Sequence, residues 1–133
     1  MTELKILEWT QEYLKYKDMV QRKIQTIKKI NDEELVCELK NGEQKHYICV
    51  NTLDDSILEK LKNKNVSCLN TKQNLNWVIT NWNNLKKENT VFFFANPKKA
   101  MHWSVNPKVH DGVTDKATIK TGLKTLFDTI PEV

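Results

Sequence analysis

Six side chains that bind anions or stack on rings fall within one short span, Asn96 to His110: Lys98, Lys99, His102, Trp103, Lys108 and His110. Lysines beside a tryptophan can hold phosphates while the ring stacks a base, which is how single-strand nucleic-acid binders work. A second set is Asn70, Thr71 and Lys72, at the expected start of a helix, where free backbone N–H groups welcome an anion. Both sets follow expected parallel strands, and ligands of open α/β sheets sit outside the carboxyl ends of such strands. Lys116, Lys120 and Lys124 recur every four residues on the last expected helix and extend the same positive field. Arg22 is the only arginine among 21 basic residues, so sequence-specific base reading is not expected. The glycines are Gly42, Gly112 and Gly122, and none lies where a phosphate cradle or dinucleotide fingerprint would need it.

Other constellations are weaker. His102, His110 and Asp111 could ligate a metal, but their spacing follows no ligand template, so no metal and no cofactor are expected. Cys37, Cys49 and Cys68 are odd in number, form no C-x-x-C and sit in apolar runs, which reads as reduced, buried thiols. A Cys37–His46 pair across a hairpin is the one arrangement that could activate a thiol. Trp77 lies opposite the apolar stripe of its helix and calls for cover. That cover would come from another element of the same chain, the N-terminal helix being the obvious candidate, or from a protein partner or a second copy.

The elements that must position these residues follow from periodicity. The chain has 133 residues, 39% hydrophobic and 29% charged, with a formal net charge of +4. That suits one domain over 1–133 and mildly favours anionic partners. Apolar spacing predicts a helix over 3–19, with Leu4, Leu7 and Leu14 inward, and a strand over 21–30 is preferred to its continuation. Asn41-Gly42 between alternating runs predicts a hairpin with a two-residue turn, pairing Leu35 with Ile48 and Cys37 with His46 and placing Cys37 and Cys49 on opposite faces. Asp54-Asp55 opens a short helix, 66–69 is a buried strand, and Thr71 caps a helix over 72–87. Thr90 to Ala95 is a strand buried on both faces, and Met101 to Val105 a further short one. Thr114 or Asp115 caps the last helix, which Pro131 stops.

The fold expected is therefore α/β, bordering on α+β, in the order α-β-β-β-α-β-α-β-(β)-α. Its mixed sheet has about five strands with helices on it. The opening helix, three-strand meander, helix and strand, over roughly residues 3–70, resemble the core of the restriction-endonuclease-like family. That resemblance implies a metal site made of an acid on one meander strand and acid-x-Lys on the next. Glu38-Leu39-Lys40 matches the tripeptide but precedes the hairpin turn, and neither 21–30 nor 44–50 carries an acid. The chain thus departs from the family where catalysis would lie.

No signal-peptide core and no long apolar run is present, so a cytoplasmic protein with no membrane partner is expected. The leading expectation is a noncatalytic module for nucleic acid or another polyanion. The alternative is a protein-interaction or homo-oligomeric module using Trp77, and a degenerate nuclease-like enzyme comes third.

Overall fold

The computed structural model describes residues 5–113 and 115–133, the side chain of Lys116 apart. The expected helix start at residue 3, with Leu4, and the alternative cap Thr114 lie outside the described residues. One six-stranded sheet runs in chain order, β1 to β6. β1 (Ile24–Asn31), β2 (Glu34–Leu39) and β3 (Gln44–Cys49) form an antiparallel meander. β4 (Lys64–Leu69) and β5 (Phe92–Asn96) continue parallel to β3, and β6 (Met101–Val105) returns antiparallel at the edge. The expected α/β class and mixed sheet are present, and residues 24–31 are strand. Among the described residues, no helix is long and apolar enough to cross a membrane.

Helices cover both faces of the sheet. α1 (Ile6–Gln21) buries Ile6, Leu7, Trp9, Thr10 and Leu14, a stripe at helical spacing, against Leu35, Cys37, Tyr47 and Cys49. It ends where Arg22 adopts φ 50° and donates to the Asp18 carbonyl. The Asp18 carboxylate then accepts from the backbone N–H groups of Lys23 (2.7 Å) and Ile24 (3.0 Å) and turns the chain into β1. The opposite face packs on a 3-10 turn (Asp55–Glu59), α2 (Lys72–Thr80), α3 (Trp82–Leu85) and α5 (Lys116–Phe127). β5 sits between the layers: Phe92 and Phe94 point into the α2/α5 core, Phe93 and Ala95 towards α1. That is the burial on both faces expected of a central parallel strand.

Four expectations change. The hairpin loop has three residues, Lys40-Asn41-Gly42: Gly42 N–H donates to the Leu39 carbonyl (3.0 Å) and Leu39 N–H to that of Glu43 (2.8 Å). Within the loop only Gly42 has positive φ (92°), the geometry of a type I turn closed by a left-handed residue rather than of two such residues. The register slips by one, so Cys37 faces Lys45 and His46 faces Val36. Cys37 and Cys49 therefore share the α1 face instead of opposing faces, and His46 points away from Cys37. All three cysteines are free and buried, and burial pushes the Cys49 thiol up to about 11.

The helix expected over 72–87 breaks at Asn81, whose side chain donates to the Trp77 carbonyl (2.9 Å) and competes with the next helical turn. The span after β6 holds a helix the periodicity does not suggest, α4 (Pro107–Val113). Trp77 is covered by another element of the chain, as expected, but that element is the 3-10 turn and not α1, which lies on the other face. Its ring packs towards Phe92 at 6.5 Å and its Nε1–H donates to Asp55 (3.0 Å).

Candidate functional site

The carboxyl ends of β4 and β5 are filled from within. Asn70, Asn74 and Asn96 are buried there. Such amides must be paired when dry, and they bond mostly to backbone. Asn74 donates to the carbonyls of Asn51 and Leu69 (both 2.8 Å) and accepts from Leu53 N–H (2.8 Å). Asn96 donates to the Pro131 carbonyl (3.0 Å). Asn70 donates to the carbonyls of Phe127 (3.4 Å) and Pro131 (3.3 Å) and accepts from Trp103 Nε1–H (2.8 Å). The segment after α5 thus closes the place where a ligand is expected. Thr71 caps α2 through Asn74 N–H (3.2 Å). The anion on the first turn of α2 belongs to the chain itself: Glu132 accepts from Lys72 N–H at 2.9 Å.

The residues from Asn96 to His110 do not form one surface. β6 separates the turn carrying Lys98 and Lys99 from α4, which carries Lys108 and His110, by about 15 Å. Trp103 faces the α2/α5 core, 6% exposed, and stacks flat on Phe94 (4.3 Å, 7°), leaving no ring face for a ligand. His110 meets the ring of Trp82 edge-on at 5.8 Å, and Asp111 accepts from Trp82 Nε1–H (3.0 Å) and pairs with Lys86 (3.6 Å). His102 is on the other face of the sheet, so the suggested metal set is not assembled. Among the described residues no group of three His, Cys, Asp or Glu could hold a metal ion. Glu38, in the nuclease-like tripeptide, spends its carboxylate on Lys28 across β1 (3.2 Å).

Two clefts bring other residues together. The larger, about 470 Å³, opens between α1 and the β5–β6 turn and is lined by Trp9, Glu12, Tyr13, Tyr16, Pro97, Ala100 and His102. Lys98 and Lys99, both exposed, sit in the turn between Pro97 and Ala100. The turn is shaped by Asn96, which accepts from Lys98 N–H through its side chain (3.1 Å) and from Lys99 N–H through its carbonyl (3.1 Å), and by Ala100 at φ 53°. Trp9 stacks on Tyr13 (5.2 Å, 8°), and His102 meets Tyr13 edge-on at 4.6 Å. Burial, with a smaller contribution from the charge of Lys17, holds the His102 imidazole below its ordinary value near 6.5. A neutral ring is therefore favoured near pH 7. Glu12 is drawn to Lys15 at 3.7 Å.

Trp9, Tyr13 and Tyr16 are the residues that sequence reasoning missed. They follow each other at four and three residues on one stripe of α1, a spacing that reads as core. Yet Tyr16 is 76% exposed. The smaller cleft, about 240 Å³, lies between α2 and α5 and brings Lys72 together with Lys120 and Lys124. The side chain of Lys116 lies outside the described residues. Comparison with known proteins finds no matching family model, no matching curated protein and no matching solved structure.

Proposed function

We propose that this chain is a noncatalytic module that binds single-stranded nucleic acid across the cleft between α1 and the β5–β6 turn. The observation that carries this reading is an open cleft walled by aromatic rings and edged by lysines. Tyr16 offers an exposed ring, with Tyr13, Trp9 and a neutral His102 behind it. Lys17, Lys98 and Lys99 are exposed on the two elements that border it. Stacking reads no sequence and needs unpaired bases, which fits a chain with a single arginine. The cleft volume falls within the range of ordinary ligand sites. Trp103 and Asn70 serve this surface only from below, by fixing β6 against the core.

The test is titration of fluorescent single-stranded and duplex oligonucleotides at two salt concentrations. Tyr16→Ala should cost ~1–3 kcal/mol of single-strand affinity. Lys98→Ala/Lys99→Ala should reduce the salt slope by ~0.7 for each phosphate that the two lysines neutralise. No binding at low salt, or equal affinity for the duplex, would sink this reading.

A second reading rests on Tyr16, Met19 and Val20, which are 76%, 71% and 89% exposed at the end of α1. Adjoining apolar side chains of this kind suit a homo-oligomeric contact. Sedimentation of wild type and Val20→Glu separates the two. A dimer that the substitution dissociates favours the contact, and a concentration-independent monomer removes it.

A further inference from the structure

The cleft between α2 and α5 combines an apolar floor with a cationic rim. One stripe of each helix builds it. Leu75 and Ile79 come from α2 and Phe127 from α5, and exposed Lys72, Lys120 and Lys124 border them. Asp128 is the one acid of the lining, so its formal charge is three minus one, or +2. At about 240 Å³ the cleft is smaller than sites that enclose a whole small molecule, and it matches one or two inserted side chains.

The chain shows how such a surface is filled. The segment after α5 runs Asp128-Thr129-Ile130-Pro131-Glu132-Val133. Ile130 inserts into the core, 8% exposed, and two residues later Glu132 accepts from Lys72 N–H at 2.9 Å. Val133 N–H donates to the Asn70 carbonyl (3.0 Å) and holds the segment in place. A carboxylate is thus already seated at the first turn of α2, two residues after an apolar side chain that enters the core. The cleft prolongs that surface along α2 with the same combination of apolar floor and cations.

From this charge complementarity we infer that the α2–α5 cleft is a docking site for an acidic amphipathic segment of a partner protein. The segment places one or two aliphatic side chains on Leu75, Ile79 and Phe127 and sets carboxylates against Lys72, Lys120 and Lys124. This site is separate from the α1 cleft and does not depend on nucleic-acid binding there. Helices that dock in grooves do so through anchors at i, i+3, i+4 and i+7, with flanking charge setting partner choice.

The probe is a fluorescein-labelled helical peptide with leucines at those spacings and glutamates between them. Its control carries lysine in place of each glutamate. Anisotropy titration should show saturable binding of the glutamate peptide and none of the lysine peptide. Lys120→Glu/Lys124→Glu should weaken the complex at least about tenfold. Both lysines are exposed, so the fold should survive. If circular dichroism shows α5 perturbed, Lys120→Ala/Lys124→Ala provides the same test with a strong helix former. Tyr16→Ala and Lys98→Ala/Lys99→Ala should leave peptide affinity unchanged, which separates this site from the α1 cleft. No saturable binding of the glutamate peptide, equal binding of both peptides, or indifference to both lysine variants overturns the inference. So does displacement of the peptide by an oligonucleotide whose own binding is lost in the lysine variants, which would make the cleft a phosphate site.

Discussion

On the face covered by α2, α3 and α5, the sheet presents Ile48, Val66, Cys68, Phe92, Phe94, Trp103 and Val105, every one of them buried. On the face covered by α1 it presents Cys37, Tyr47, Cys49, Ala95, half-buried Phe93 and His102, and the rings continue outward to an exposed Tyr16. The first face has several helices to close it and a seal of asparagines at its end. The second has one helix, whose Trp9 and Tyr13 cover the β5–β6 side only in part, so that Phe93 and His102 stay half-buried. One sheet thus carries a face built for stability and a face that keeps aromatic surface within reach of solvent. Charge follows the same division only in part, because Lys120 and Lys124 edge a cleft on the sealed side as well.

The largest effect that could break this contrast is cavity formation. Phe92→Ala or Phe94→Ala should each cost ~3–5 kcal/mol, whereas Phe93→Ala, on the α1 face and half-buried, should cost ~1–2 kcal/mol. Urea unfolding with unchanged m-values measures both. Equal losses at Phe92 and Phe93 would mean that the two faces are packed alike.

Next comes the seal. Asn70→Ala strips Trp103 Nε1–H of its acceptor and the Pro131 carbonyl of one donor. About 1–3 kcal/mol should be lost for each buried group left unpaired. A neutral outcome in thermal unfolding would show that the carboxyl ends of the strands are already open to water.

Acid should act through the α1 face. Burial holds the folded His102 below its ordinary value near 6.5, so as pH falls the unfolded chain takes up that proton first. The stability His102 contributes is complete above about pH 6.5 and is lost as pH falls from there through the folded value. His102→Phe keeps a ring against Tyr13 but removes the proton. The two stability–pH curves should differ in slope in that window alone and keep a constant offset below it, and curves parallel throughout would contradict it.

The smallest effect concerns the turn. Ala100 holds φ 53°, a conformation that costs an ordinary residue ~1–2 kcal/mol. Ala100→Gly removes that cost but gives the unfolded chain ~0.4–1 kcal/mol more entropy to lose. A net gain of roughly 0.5 kcal/mol is expected in chemical denaturation. A clear loss would mean that the Ala100 methyl is itself a packed part of the cleft wall.

Much of the architecture is legible because periodicity survives in each segment. The strand at Phe92–Asn96, the cap at Thr71 and the cap at Asp115 are local signals, and local chemistry satisfies them. Asn41-Gly42 locates the hairpin turn but leaves its length open by one residue, since the same dipeptide also fits a three-residue loop in which only glycine is left-handed. That one residue moves Cys37 and Cys49 onto one face. Met101 to Val105 reads as a short strand, and β6 is there, but the lysines and histidines around it make the whole span read as one basic surface and mask Trp103 and Val105 as core residues. Those two alternate with His102 and Ser104 and are the inward residues of a strand. Of the candidate site, Lys98, Lys99 and His102 are visible in the sequence. Their aromatic partners on α1 are not, because nothing local links Trp9 or Tyr16 to residues that join them only once the sheet is assembled.

The sheet also divides the chain by how far apart its partners lie. β1, β2 and β3 pair through short turns, whereas β3, β4 and β5 are joined parallel by crossovers, and Leu123, Phe127 and Ile130 must reach a core begun by Ile48. Short loops close at little entropic cost and long ones slowly. The meander should therefore gain protected amides before β4 and β5 do, a sequence of events that pulsed hydrogen exchange during refolding can time. During synthesis, the apolar sheet face of a ribosome-bound chain would be covered only by α2 and α3 until α5 emerges. Over that interval the nascent protein is most exposed to aggregation and to chaperones.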